Sequence, residues 1–69
     1  MNKPRRRIAG QLDDGPRGLV IVTEAGDRWV IEHENIEPGL IGRQVVAEGA
    51  VIGLDRLKAD WLGEERGEA

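Results

Sequence analysis

Apolar and polar residues alternate along most of this chain with the two-residue period of a half-buried strand. Ile8, Gly10 and Leu12 fall on one face and Arg7, Ala9 and Gln11 on the other, which predicts a first strand over residues 7–12. Residues 19–23 hold Val20, Ile21, Val22 and Thr23, the densest β-branched run of the chain. Residues 28–32 place Trp29 and Ile31 together, opposite Arg28, Val30 and Glu32. Residues 45–51 alternate with Val45, Ala47, Gly49 and Val51 on one side. Residues 57–62 close the set, with Leu57, Ala59 and Trp61 expected inward and Lys58, Asp60 and Leu62 outward.

The segments between these runs carry turn chemistry. "DDGPRG" at 13–18 offers carboxylates for local backbone bonds, glycines that tolerate positive φ, and a proline that fixes φ. "EAGD" at 24–27 joins two strand-like runs, so the second and third strands form a hairpin. Residues 33–44 make a connector broken by Pro38, Gly39 and Gly42. Asn35 is placed to cap one helical turn starting at Ile36. Ile36, Leu40 and Ile41 are expected to plug one end of the core. Gly49, inside a strand, predicts a bulge, a bend or a close backbone approach.

Five short strands with one connector between the third and fourth predict an all-β protein, a small five-stranded OB-like partly open barrel. An SH3-like barrel is the main rival, although its helical turn usually precedes the last strand. Residues 7–62 would form the barrel, residues 1–6 a disordered basic arm, and residues 63–69 a disordered acidic tail.

"GDRWVIE" followed by "LIGRQVVAEGAVIGLDRLKADWL" resembles a family of short bacterial proteins with an OB-like barrel and no assigned activity. The resemblance rests on Trp29, Leu40, Gly42, Arg43, Val45, Ala47 and Gly49. Ala47 departs from the family's usual valine. The similarity spans roughly residues 8–62. It implies the fold and leaves the function open.

Composition narrows the class. Sixty-nine residues make one domain at most. Without cysteine there is no disulfide framework and no thiolate metal site. Small secreted domains usually carry disulfides, so a cytoplasmic home is the expectation. The longest uninterrupted apolar run is Leu19-Val20-Ile21-Val22, far short of a membrane span. The basic start has no apolar stretch behind it, so it does not read as a signal peptide.

Catalysis is hard to build from this inventory. The chain has no serine, cysteine or tyrosine, Thr23 is its only hydroxyl side chain, and His33 its only histidine. The expectation is a protein that is not an enzyme, with no cofactor and no small-molecule substrate. Glu32-His33-Glu34 invites a metal reading, but strand alternation separates His33 from both carboxylates. Asp13-Asp14-Gly15 opens like a calcium loop and then lacks the later ligands. Neither is expected to hold a metal.

Charge is uneven along the chain. Residues 1–7 carry +4, residues 8–63 carry −5 and residues 64–69 carry −2. A nucleic-acid binder normally shows its basic footprint on the folded body. Here the body is acidic. The candidate binding residues are Lys3, Arg5, Arg6 and Arg7 in the arm, with Arg28, Trp29, Arg43 and Lys58 on the barrel. Trp29 and Trp61 are the only aromatics, and both are expected in the core. The favoured function is a non-enzymatic binding module for a protein partner or a second copy of itself. The alternative is weak, salt-sensitive nucleic-acid binding through the arm and one barrel face.

Overall fold

A computed structural model of the chain describes residues 4–34 and 37–65. Five strands follow in order: β1 Arg5–Gly15, β2 Gly18–Val22, β3 Arg28–Glu32, β4 Gln44–Val51 and β5 Arg56–Glu64. They join in one ring-like sheet in the order β1-β2-β3-β5-β4, and β4 returns to β1. Every pairing is antiparallel except β3 with β5. That parallel seam is short, matching only Val30–Glu32 with Arg56–Lys58. The molecule is therefore all-β, a small barrel-like ring with a short connector between the third and fourth strands.

The ring turns because β1 serves two neighbours. Its first half pairs with β4 and its second half with β2, and Gln11 lies opposite both Gln44 and Val22. Gly10 makes the turn sterically feasible: a Cβ there would collide with the Val22 carbonyl. The β2–β3 turn is tied by Thr23, whose amide donates to the Asp27 carbonyl at 2.8 Å and whose Oγ1 accepts from the Asp27 amide at 3.1 Å.

Inward positions of all five strands make one core: Ile8, Leu12, Ile21, Ile31, Val45, Ala47, Leu57 and Ala59. Leu19, Trp29, Leu40, Val51 and Leu62 pack against it. Burying a large aliphatic side chain stabilises by roughly 1.5–3 kcal/mol, so a cluster of this size is the main source of stability in a chain without disulfides.

The strand ends differ from expectation. β1 begins at Arg5, and the Val51 amide donates to the Pro4 carbonyl at 2.8 Å, so Arg5 and Arg6 belong to the barrel and not to an arm. Its pairing with β4 supplies the backbone partners that hold those arginines in a strand. At the other end, β5 runs on to Glu64, and the Glu65 amide donates to the Gln44 carbonyl at 2.9 Å. Gly63 and Glu64 are thus strand, not tail. The rest of the expected arm and tail, residues 1–3 and 66–69, lies outside the described residues, as do Asn35 and Ile36. In the connector, the helical turn is a single 3-10 turn at Pro38–Leu40. Leu40 packs on the core there, whereas Ile41 is exposed rather than a plug.

The largest departure sits in β5. Glu48 lies opposite Trp61 and Gly49 opposite Ala59, so Asp60 is an extra residue with no partner of its own. Such a bulge breaks the two-residue period. Asp60 and Trp61 consequently both face outward, and Leu62 turns in to the core. Trp61 is 51% exposed, the reverse of the core position expected for it.

Candidate binding surface

The basic candidates are spread around the ring, and most already have partners. Arg5 and Arg7 share the outer face of β1, Arg5 reaching over β4 to β5 and Arg7 bridging to β4. Arg5 pairs with Asp60 at 2.9 Å and Arg7 with Glu48 at 3.3 Å. Arg43 pairs with Glu64 at 2.9 Å. Arg6 shares the parity of Ile8, and its guanidinium lies 5.3 Å from the centroid of the Trp29 ring. Arg6 and Trp29 thereby meet across the ring from strands that are not neighbours. Two further pairs, Arg17–Asp55 and Arg56–Glu32, use cations outside the candidate set.

Among the described residues, Arg28 and Lys58 are the candidates with neither an ion-pair partner nor an aromatic one. Arg28 lines a cleft with Gln11, Thr23, Glu24 and Gln44, where β1 leaves β4 for β2. Lys58 borders a different depression beside His33, Glu34 and Asp60. The structure does not bring the two together, and carboxylates sit close to each. Lys3 lies outside the described residues.

The Arg5–Asp60 pair has the clearest electrostatic signature. The hydrogen bond from Arg5 holds the Asp60 carboxyl below the ordinary carboxylate range, against the opposing effect of desolvation. The same bond raises the Arg5 guanidinium. Both groups are exposed, so the pair contributes little to stability. Its interest is positional: it fixes the bulged residue against β1.

His33 is the first residue beyond β3. Its Nδ1 lies 2.8 Å from the Ala59 carbonyl oxygen, so Nδ1 carries the proton and donates. The contact continues the β3–β5 seam by one rung after the backbone pairing ends at Glu32 and Lys58. No group of three or more histidine and carboxylate side chains is close enough to hold a metal ion among the described residues.

Sequence reasoning missed the outer face of β1, β4 and β5. Cross-strand register sets Arg7, Glu48 and Trp61 in one row, and Ala9, Val46 and Gly63 in the next. The Trp61 ring lies across Gly63, where a Cβ would come within 2.9 Å of Trp61 Cζ2 and Cη2. Val46 is buried on this outer side, and Ala9 is exposed. The result is a half-exposed indole lying over Gly63, beside the buried Val46 and the exposed Ala9 and bordered by the Arg7–Glu48 and Arg5–Asp60 pairs. Tryptophan is enriched where binding energy concentrates. The available signal was Gly49. It marks the bulge, but the extra residue falls on the opposite strand.

These features define a small all-β ring that exposes Trp61, Leu54 and Ile41 together with a set of mostly paired charges. Residues 9–65 match the family described as Protein of unknown function (DUF5818), and the chain belongs to that family. No curated protein and no solved structure matches it. No described helix is long and apolar enough to cross a membrane.

Proposed function

We propose that this protein is a non-enzymatic binding module whose partner is another protein, engaged through the outer face around Trp61. The barrel is read as OB-like, because its ring order, its parallel β3–β5 seam and its connector between β3 and β4 suit a five-stranded partly open Greek-key barrel. The lack of cysteine suits a reducing compartment such as the cytoplasm.

The observation that carries the reading is the contrast between Trp61 and the arginines. Trp61 is half-exposed on the outer face, while Arg5, Arg7 and Arg43 are engaged with carboxylates of the same molecule. Phosphate binding would have to break those pairs and overcome an acidic body. A second reading, weak nucleic-acid binding, draws on the unpaired Arg28 and Lys58 together with the basic run from Lys3 to Arg7.

A heteronuclear NMR titration with a short mixed single-stranded oligonucleotide, at low and at physiological salt, separates the two. Protein-partner binding predicts shifts only near residues 1–7 that vanish as salt rises. Salt-resistant shifts at Arg28, Trp29 and Arg43 would put nucleic acid first.

A further inference from the structure

We infer that the free edge of β1 at Arg5–Ala9 takes up an extended segment of a partner protein as an added antiparallel strand, with carboxylates where that segment passes Arg5–Arg7. The inference goes beyond the Trp61 reading, because it uses backbone groups of β1 and does not need the indole. Its basis is the direction in which those groups point. Antiparallel strands exchange hydrogen bonds at every second residue pair. Between β1 and β4 the bonded pairs are fixed at both ends. The Val51 amide donates to the Pro4 carbonyl at 2.8 Å, and the Leu12 amide to the Arg43 carbonyl at 3.0 Å. The register runs unbroken between them, so Arg6, Ile8 and Gly10 bond to β4. The N–H and C=O groups of Arg5, Arg7 and Ala9 therefore point the opposite way.

Farther along, β2 covers that same edge through Gln11–Val22, Asp13–Val20 and Gly15–Gly18. Continued in register, β2 would bring Glu24, Gly26 and Arg28 to Ala9, Arg7 and Arg5. It stops short, because the Thr23 amide donates to the Asp27 carbonyl and the chain turns back as β3. Among the described residues nothing else pairs with the edge. The open stretch spans roughly 16 Å at strand spacing.

Backbone donors and acceptors alternating at that spacing are matched by a second extended backbone. The vacant place is the continuation of β2, which makes the added strand antiparallel to β1. Arg5, Arg6, Arg7 and Ala9 are all exposed, and the Arg5 and Arg7 side chains turn toward β5 and β4, away from the edge. Charge then selects the segment. The three successive arginines outnumber Glu48 and Asp60 around them, and Lys3 precedes them in the sequence. Toward Ala9 the sign changes, where a cleft holds Arg28 with Asp13, Glu24 and Glu65. A segment that is acidic only in its C-terminal half, the half beside Arg5–Arg7, suits both ends. Charged edge strands resist indiscriminate pairing, so the same arginines turn away segments without that charge.

Amide hydrogen exchange of the full chain, read by NMR, is the test. In the free protein the amides of Arg6, Ile8 and Gly10 should exchange slowly and those of Arg5, Arg7 and Ala9 fast. The probe is a peptide with blocked ends, Thr-Val-Thr-Val-Glu-Val-Glu, which should slow the second set. The same peptide methylated at every amide nitrogen keeps its charge, loses its donors and should not. Lysine in place of both glutamates should weaken binding at least about tenfold. Ala9→Pro removes one edge-facing donor and no bond to β4, so it should keep its circular dichroism and bind at least about tenfold more weakly.

Free-protein exchange without that alternation overturns the inference, because the edge is then not open. Failure of the peptide to slow Arg5, Arg7 and Ala9 at millimolar concentration overturns it as well and leaves the Trp61 reading untouched. Equal binding of the methylated peptide would mean charge attraction without strand pairing. Equal binding of the lysine peptide would remove the acidic partner. A short single-stranded oligonucleotide that slows the same three amides would make the edge a phosphate site instead.

Discussion

Gly49 of β4 lies so close to Lys58 of β5 that a Cβ at position 49 would collide with the Lys58 carbonyl. The neighbouring backbone, not a movable side chain, is the obstacle. Gly49→Ala is therefore expected to destabilise the fold by about 1–3 kcal/mol, as overpacking does. Gly39 has open space around it and no positive φ, so Gly39→Ala should be close to neutral. Urea unfolding of both variants measures the contrast. Equal midpoints would show that the close approach is absent.

Core truncation should be costly because so little else holds the ring. Leu12 and Leu57 are fully enclosed. Replacement of either by alanine is expected to remove about 2–5 kcal/mol. Small domains are marginally stable, so either variant should be substantially unfolded at moderate urea concentrations where the wild type is native. A loss well below that range would place the residue at the surface.

Asp60 predicts a small acid sensitivity with a definite sign. Its folded carboxyl titrates below the ordinary value of 3.8, because Arg5 favours the charged form. A group lowered on folding adds stability above its unfolded value and loses it as pH falls through the folded one. Arg5→Gln should thus flatten the stability profile at pH below about 4 and leave its shape near neutrality unchanged. Urea midpoints across that range check it, and an NMR titration of the Asp60 carboxyl reads the shift directly. A wild-type Asp60 titrating at or above the ordinary value would contradict the pairing.

Arg6 over Trp29 should be visible in the indole. Arg6→Ala is expected to change Trp29 emission in a Trp61→Phe background and to cost under about 1 kcal/mol. Unchanged emission would mean that the guanidinium does not sit on the ring.

Much of the fold was legible because the alternation of apolar residues is strong. Ile8 and Leu12, Ile21, Trp29 and Ile31, and Val45 and Ala47 all face inward as their spacing requires. The strand ends were harder. Arg5 and Arg6 look like a charged arm, and only their long-range pairing with Ala50 and Gly49 makes them strand. The candidate site failed for one local reason. Gly49 signals a bulge, but the sequence does not say which strand carries the extra residue. That residue is Asp60, and it reverses every side chain after it. The ion pairs were equally out of reach, since Arg5 and Asp60 are 55 positions apart.

The orientation of Trp61 carries the binding reading, and acrylamide quenching of the two single-tryptophan variants measures it most directly. In Trp29→Phe the remaining Trp61 should be quenched readily, as an indole on the outer face. In Trp61→Phe the remaining Trp29, packed on the core beneath Arg6, should be protected. Protection of Trp61 equal to or greater than that of Trp29 would return it to the core and contradict the binding face.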